Sequence, residues 1–270
     1  MTEIVKGYAK TSQGQMHYRH IAGPKAGAAT PLVMYHRAPA TSVSFEPMMQ
    51  LMAGDRPLYA FDMPGFGESF APKSQPTAVD YARWLLEAND ALGLETFHIF
   101  AHHTGTHFAT QLTADNPSRV ATLMLNGIAY LTAEERAGFS KNVLPPDTPD
   151  ADGAYMTAGF KLIATLLPHF DEKLFHTEMT GMMQSHWVRH FSFNAVWGQD
   201  YPETLKRVTC PVLATCAEDE VWRFCFERVF EDNPTATRAI LGPAKFFTPE
   251  LDAHAIVAAI RAFLREVEEA

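Results

Sequence analysis

The sequence predicts an α/β fold, a mostly parallel twisted sheet flanked by helices, with an inserted helical cap. Three observations predict it. Short apolar runs with β-branched and aromatic content alternate with helical patterns through the first half of the 270-residue chain. The alternation stops after Asn126, and residues 131–201 read as helical, Met-rich and aromatic-rich. Strand signals then return at 211–216 and 237–241.

Taken in order, residues 3–10 and 15–21 form a pair of strands around the polar turn Thr11–Gly14. Further strands are expected at 31–36, 57–62, 97–102 and 120–125. Between them, residues 78–92 place Val79, Ala82, Leu85, Leu86 and Leu92 at helical spacing, and 104–115 reads as the next helix. Strand–helix–strand succession of this kind implies right-handed crossovers and parallel pairing. The expected division is a core over 1–130, a helical cap over 131–203 and a returning core over 204–270. The cap contains a Pro- and Asp-rich hinge-like stretch at 144–153, and an amphipathic helix at 249–267 closes the chain.

Composition narrows the function. Hydrophobic residues at 47% and charged residues at 20% are ordinary globular usage. A formal net charge of −9 argues against nucleic acid or an anionic membrane as partner, since both need a cationic footprint. No stretch reaches the roughly 18 apolar residues of a membrane span. The first residues carry no apolar run behind a basic start, and Cys210, Cys216 and Cys225 fit no disulfide or zinc spacing. A cytoplasmic protein acting on a small-molecule substrate is expected. No cofactor is implied, since there is no Gly-rich phosphate loop. His102, His103 and His107 do not make a metal site, because only His103 and His107 share a helix face and no third ligand is evident. The sequence assigns no oligomeric state.

Ligands of open α/β sheets bind beyond the carboxyl ends of the strands. The segment Phe100-Ala101-His102-His103-Thr104-Gly105 passes from strand to helix with almost no loop. The apex of such a turn exposes its side chain above the sheet and needs small residues two before and two after it. Ala101 and Gly105 meet that rule only if His103 is the apex. An apex at Thr104 would place His102 in a small-residue slot, and one at Thr106 would place Phe108 there.

With these residues the chain resembles the α/β-hydrolase superfamily, in particular its capped, epoxide-hydrolase and haloalkane-dehalogenase-like branch. Asp62-Met-Pro-Gly-Phe-Gly-Glu-Ser69 is similar to the family's D-x-P-G-x-G-x-S loop, and Tyr35-His36 stands where the family has His-Gly. Cys210–Glu220 resembles the strand and turn that carry the triad acid, and Leu241–Glu250 the loop that carries the triad histidine. The resemblance puts the nucleophile position on His103, the acid on Glu220 (or Asp219 with a one-residue shift) and the histidine on Lys245. Arg37 falls on the oxyanion glycine. A Ser–His–Asp mechanism cannot be written with this set.

His103 at the apex can serve as a general base or as a nucleophile. The N–H of Thr104, with that of Arg37 or Ala38, would supply oxyanion donors. The Arg37 side chain could pair with a substrate carboxylate. Three readings follow. The first is hydrolysis of a small, largely apolar ester, lactone or C–C substrate. The second is a lyase, decarboxylase or cyclase in which Lys245 and Arg37 face the base. The third is an inactive small-molecule binding protein.

Overall fold

Residues 2–24, 29–141, 148–167 and 169–269 are described by the computed structural model. Its strands are β1 (Val5–Lys10), β2 (Gln15–Ile21), β3 (Leu32–Tyr35), β4 (Leu58–Phe61), β5 (Phe97–His102), β6 (Val120–Asn126), β7 (Val212–Ala217) and β8 (Thr237–Leu241). They form one sheet in the order β1-β2-β4-β3-β5-β6-β7-β8. The β1–β2 and β2–β4 pairs are antiparallel and the remaining pairs parallel. Strands β3, β5 and β7 are buried along their whole length, because helices cover both sheet faces.

Side-chain alternation splits the core into two layers. On one face Ile99 and Ala101 of β5 pack with Tyr81, Trp84, Phe108 and Leu112. These belong to helices α2 (Ala78–Ala91) and α3 (Thr104–Asp115), which follow α1 (Glu46–Leu51) in the chain. On the other face Phe100, Met124 and Leu213 meet Met48 and Met49 of α1 and Ile256, Ile260 and Phe263 near the chain's end. Helix α2 starts where Thr77 and Asp80 form a reciprocal capping box.

Between β6 and β7 the described residues form α4 (Ala133–Ser140), α5 (Ala154–Leu166), α6 (Glu172–Gln184), α7 (Arg189–Gly198) and α8 (Tyr201–Leu205). Part of the hinge-like stretch at 144–153 lies outside the described residues. After β7 come α9 (Arg228–Asp232), α10 (Thr248–Leu251) and α11 (Ala253–Glu269). The single closing helix expected over 249–267 is therefore two. Asp252 leaves the helical region at φ −130° and ψ 40°, which ends α10 and lets α11 set off along the sheet.

Candidate active site

His103 is the one residue between β5 and α3, at φ 47° and ψ −114°. A non-glycine residue in that region costs on the order of 1–3 kcal/mol and persists only where its surroundings over-determine it. Here its N–H donates to the Asn126 carbonyl at 2.9 Å, and its carbonyl accepts from the Thr106 N–H at 2.8 Å and hydroxyl at 2.6 Å. The small-residue rule has a visible cause. A Cβ at Gly105 would lie 2.4 Å from the Tyr35 carbonyl oxygen, because α3 starts hard against β3. The apex register expected from sequence is the one the backbone adopts.

Gly127, immediately after β6, makes room for the imidazole. A Cβ there would lie 2.6 Å from His103 Cδ2 and Nε2. The ring is almost fully buried and lies with its centroid 5.3 Å from that of Phe246. Its Nε2 is 2.9 Å from Glu220 Oε2, and its Nδ1 is 3.3 Å from the Trp222 indole nitrogen. Glu220 is buried and opens the 3-10 turn Val221–Phe224, with Oε1 accepting the Val221 N–H at 2.7 Å.

The neighbouring acid does something else. Asp219 Oδ1 accepts the N–H groups of Ala244 and Lys245 at 2.9 and 2.8 Å, tying the loop after β8 to the turn after β7. Of the two acids that sequence spacing left open, Glu220 is the one bonded to His103. Lys245 was expected at the position of the triad histidine. Its backbone turns through φ 46°, and it is Phe246, not Lys245, that lines the cavity and meets His103.

Arg37 was expected to supply an oxyanion donor or to pair with a substrate carboxylate. It is buried, and one guanidinium nitrogen lies 2.6 Å from Glu178 Oε1 and 3.4 Å from Glu250 Oε1. The guanidinium carbon sits 4.7 Å from the Phe247 ring centroid. Burial opposes the charge, but the two carboxylates outweigh it and raise the Arg37 pKa. Burial, helped by Glu178 and opposed by Arg37, pushes Glu250 up to about 8. The guanidinium is thus already paired on the protein side.

Of the expected oxyanion donors, the Ala38 N–H is bonded to Thr104 Oγ1 at 3.1 Å. The Thr104 N–H opens α3, where the first amides have no intrahelical acceptor. His107, one turn along α3, is held through Nδ1 to Gln199 Oε1 at 2.9 Å, and burial pushes it down to about 3. His102 lies in the sheet layer, fully buried, and burial holds its pKa well below the ordinary histidine value. Among the described residues no group of three or more His, Cys, Asp or Glu is placed to hold a metal ion.

These groups face a cavity of about 230 Å³. His103, Thr104 and Arg37 stand at its sheet side, and Leu162, Ile163 and Leu166 of α5, Met182 of α6 and Val196 and Trp197 of α7 close it from the other. A space of this size with apolar walls and a few convergent polar groups suits a small, mostly apolar molecule. Sequence reasoning missed Glu178, Gly127 and Trp222. Gly127 follows a strand beside the apex and Trp222 follows the acid by two, so their positions carried a signal; Glu178 carried none.

Residues 30–224 match the family model described as alpha/beta hydrolase fold. The chain is 22% identical to a proline iminopeptidase of Heyndrickxia coagulans, over 92% of each chain. It is 28% identical to a haloalkane dehalogenase of Psychrobacter cryohalolentis over 48% of this chain and 43% of that one. The enol-lactonase of Burkholderia xenovorans LB400 superimposes with a TM-score of 0.76 at 17% identity, over 96% of this chain and 100% of that one. No helix among the described residues is long and apolar enough to cross a membrane.

Proposed function

The chain belongs to the α/β-hydrolase fold family, and on that premise we propose that it is a hydrolase in which a His103–Glu220 pair acts as general base on water. The substrate is a small, largely apolar ester, lactone or C–C compound, held beneath a cap of helices α4–α8. The observation that carries this reading is the 2.9 Å bond between His103 Nε2 and Glu220 Oε2 at the floor of the apolar cavity.

The chemistry balances without a serine. Once the Trp222 N–H gives up His103 Nδ1, water passes a proton to that nitrogen as its oxygen adds to the substrate carbonyl, and Glu220 stabilises the imidazolium that results. The Thr104 N–H faces the developing oxyanion. On collapse, the imidazolium returns the proton to the leaving group. The enol-lactonase and iminopeptidase relatives are in keeping with carbonyl chemistry on this scaffold.

A lyase, decarboxylase or cyclase reading sets Lys245 and Arg37 opposite the base; it is less well supported, since Lys245 does not line the cavity and Arg37 is bonded to Glu178. A binding-protein reading is favoured by one observation: the Ala38 N–H and both ring nitrogens of His103 already have partners. Turnover separates the two. Against p-nitrophenyl esters of short acids and small enol lactones, His103→Ala is expected to lose about 10²–10⁴-fold in kcat. Undiminished turnover by the variant would sink the enzymatic role of His103. Tight binding of these compounds with no turnover by the native protein would establish the binding role instead.

A further inference from the structure

Trp222 belongs to no part of the reaction above, yet its indole nitrogen is 3.3 Å from the ring nitrogen that the reaction uses. An indole N–H can only donate, so His103 Nδ1 must accept. On the opposite edge, the Glu220 carboxylate can only accept when ionised, so Nε2 must donate. The reverse tautomer would set two N–H groups against each other at Nδ1. It would also oppose a lone pair to a carboxylate at Nε2. Both partners reach the ring from one short stretch of chain, Glu220 as the cap of a 3-10 turn and Trp222 as its second residue.

That stretch is itself tied down. The Glu220 N–H donates to the Ala217 carbonyl at 3.2 Å, the Arg223 N–H to the Glu220 carbonyl at 3.0 Å, and the Cys225 N–H to the Trp222 carbonyl at 3.1 Å. The indole lies with its ring centroid 5.4 Å from Phe139 near α4's end and 6.2 Å from Trp197 of α7, both edge-on. The inserted helices thereby restrain the side chain that meets the base.

We propose that Trp222 is a positioning residue for His103: its N–H occupies the Nδ1 lone pair and, with Glu220, fixes the imidazole as the Nε2–H tautomer. The proposal rests on the reading of His103 as the reacting group, but its consequence is readable in the resting protein without any substrate. Nδ1 is thereby kept unprotonated in the resting protein, and the Trp222 N–H must give up that lone pair before water can bond there.

The test is two-bond ¹H–¹⁵N correlation spectroscopy on the full-length, ¹⁵N-histidine-labelled protein, with His103 assigned by its disappearance in His103→Phe. The expected native pattern is an unprotonated Nδ1 and a protonated Nε2. In Trp222→Phe, which keeps a ring and loses the donor, the Nδ1 resonance moves and the tautomer preference relaxes. Seen from the other partner, the Trp222 indole proton moves upfield in His103→Phe, a reading that survives if Trp222→Phe folds poorly. A native Nδ1–H, or an indole proton unmoved by His103→Phe, overturns the proposal. A native protein with the expected pattern and no His103-dependent turnover would sink the hydrolytic reading while leaving this one standing.

Discussion

Glu220 Oε2 lies 2.9 Å from His103 Nε2, although 117 positions separate the two residues in the chain. The contact exists because β5 and β7 flank β6 and both end at the same edge of the sheet. Two turns that are remote in sequence thereby meet over Gly127.

Replacing that acid separates charge from shape. Glu220→Gln still offers a carbonyl oxygen to the Nε2–H but loses the charge that stabilises the imidazolium. A fall of about 10²-fold in kcat is expected with little change in Tm, measured by steady-state kinetics and thermal unfolding. Glu220→Ala also leaves a buried N–H without its acceptor, so a further loss of about 1–3 kcal/mol in stability is expected. Equal Tm values for the two variants would contradict a buried hydrogen-bonded pair.

Gly127 is expected to be intolerant of the smallest possible addition. In Gly127→Ala the new methyl would lie 2.6 Å from the imidazole, at a backbone φ of 68°. The backbone conformation costs about 1–2 kcal/mol. Displacement of the ring by about 1 Å costs on the order of 10²-fold in rate. Kinetics together with the His103 ring resonances test this; a variant of native activity would show that the imidazole does not work from its observed position.

Lys245 and Phe246 should behave oppositely. Lys245 is outside the cavity lining, so Lys245→Gln should leave kcat/KM within about twofold of native. Phe246→Ala removes a ring from beside His103 and from the cavity wall, so kcat/KM should fall by about tenfold or more. A large loss in the lysine variant would return the ammonium to the mechanism.

Glu250 predicts a pH dependence of stability. Its folded pKa of about 8 lies above its ordinary 4.5, chiefly through burial. Between those values the native state holds a proton that the unfolded chain has lost. This group's contribution is therefore complete below about pH 4.5 and is lost as pH rises towards 8, with a slope of up to about 1.4 kcal/mol per pH unit. Glu250→Gln removes the titration and keeps an acceptor for Arg37. Its Tm should gain on the native protein steadily from pH 5 to pH 8 in urea or thermal unfolding, and a constant difference would show that Glu250 is ionised in the native state.

Much of the fold is legible along the chain. β2, β5, α3 and β8 fall on the residues expected of them, and the other strands differ by one or two residues at an end. The exception, the split between α10 and α11, turns on the backbone of one residue, Asp252, within a pattern that stays amphipathic on both sides. In the site, His103 is legible and its surroundings much less so.

The alternating sheet and helices and the place of His103 at the apex are legible along the chain because both rest on short-range sterics. A one-residue strand-to-helix turn needs small neighbours at fixed offsets, and a buried strand needs a short, mostly apolar run. Long-range packing is what brings Glu220 rather than Asp219 to the imidazole, pairs Arg37 with Glu178 and Glu250, and sets the Phe246 ring beside His103. After a turn, side-chain direction depends on backbone angles such as the φ of 46° at Lys245. It depends also on which distant element packs against that turn. A pattern of residue types along one chain does not carry either quantity.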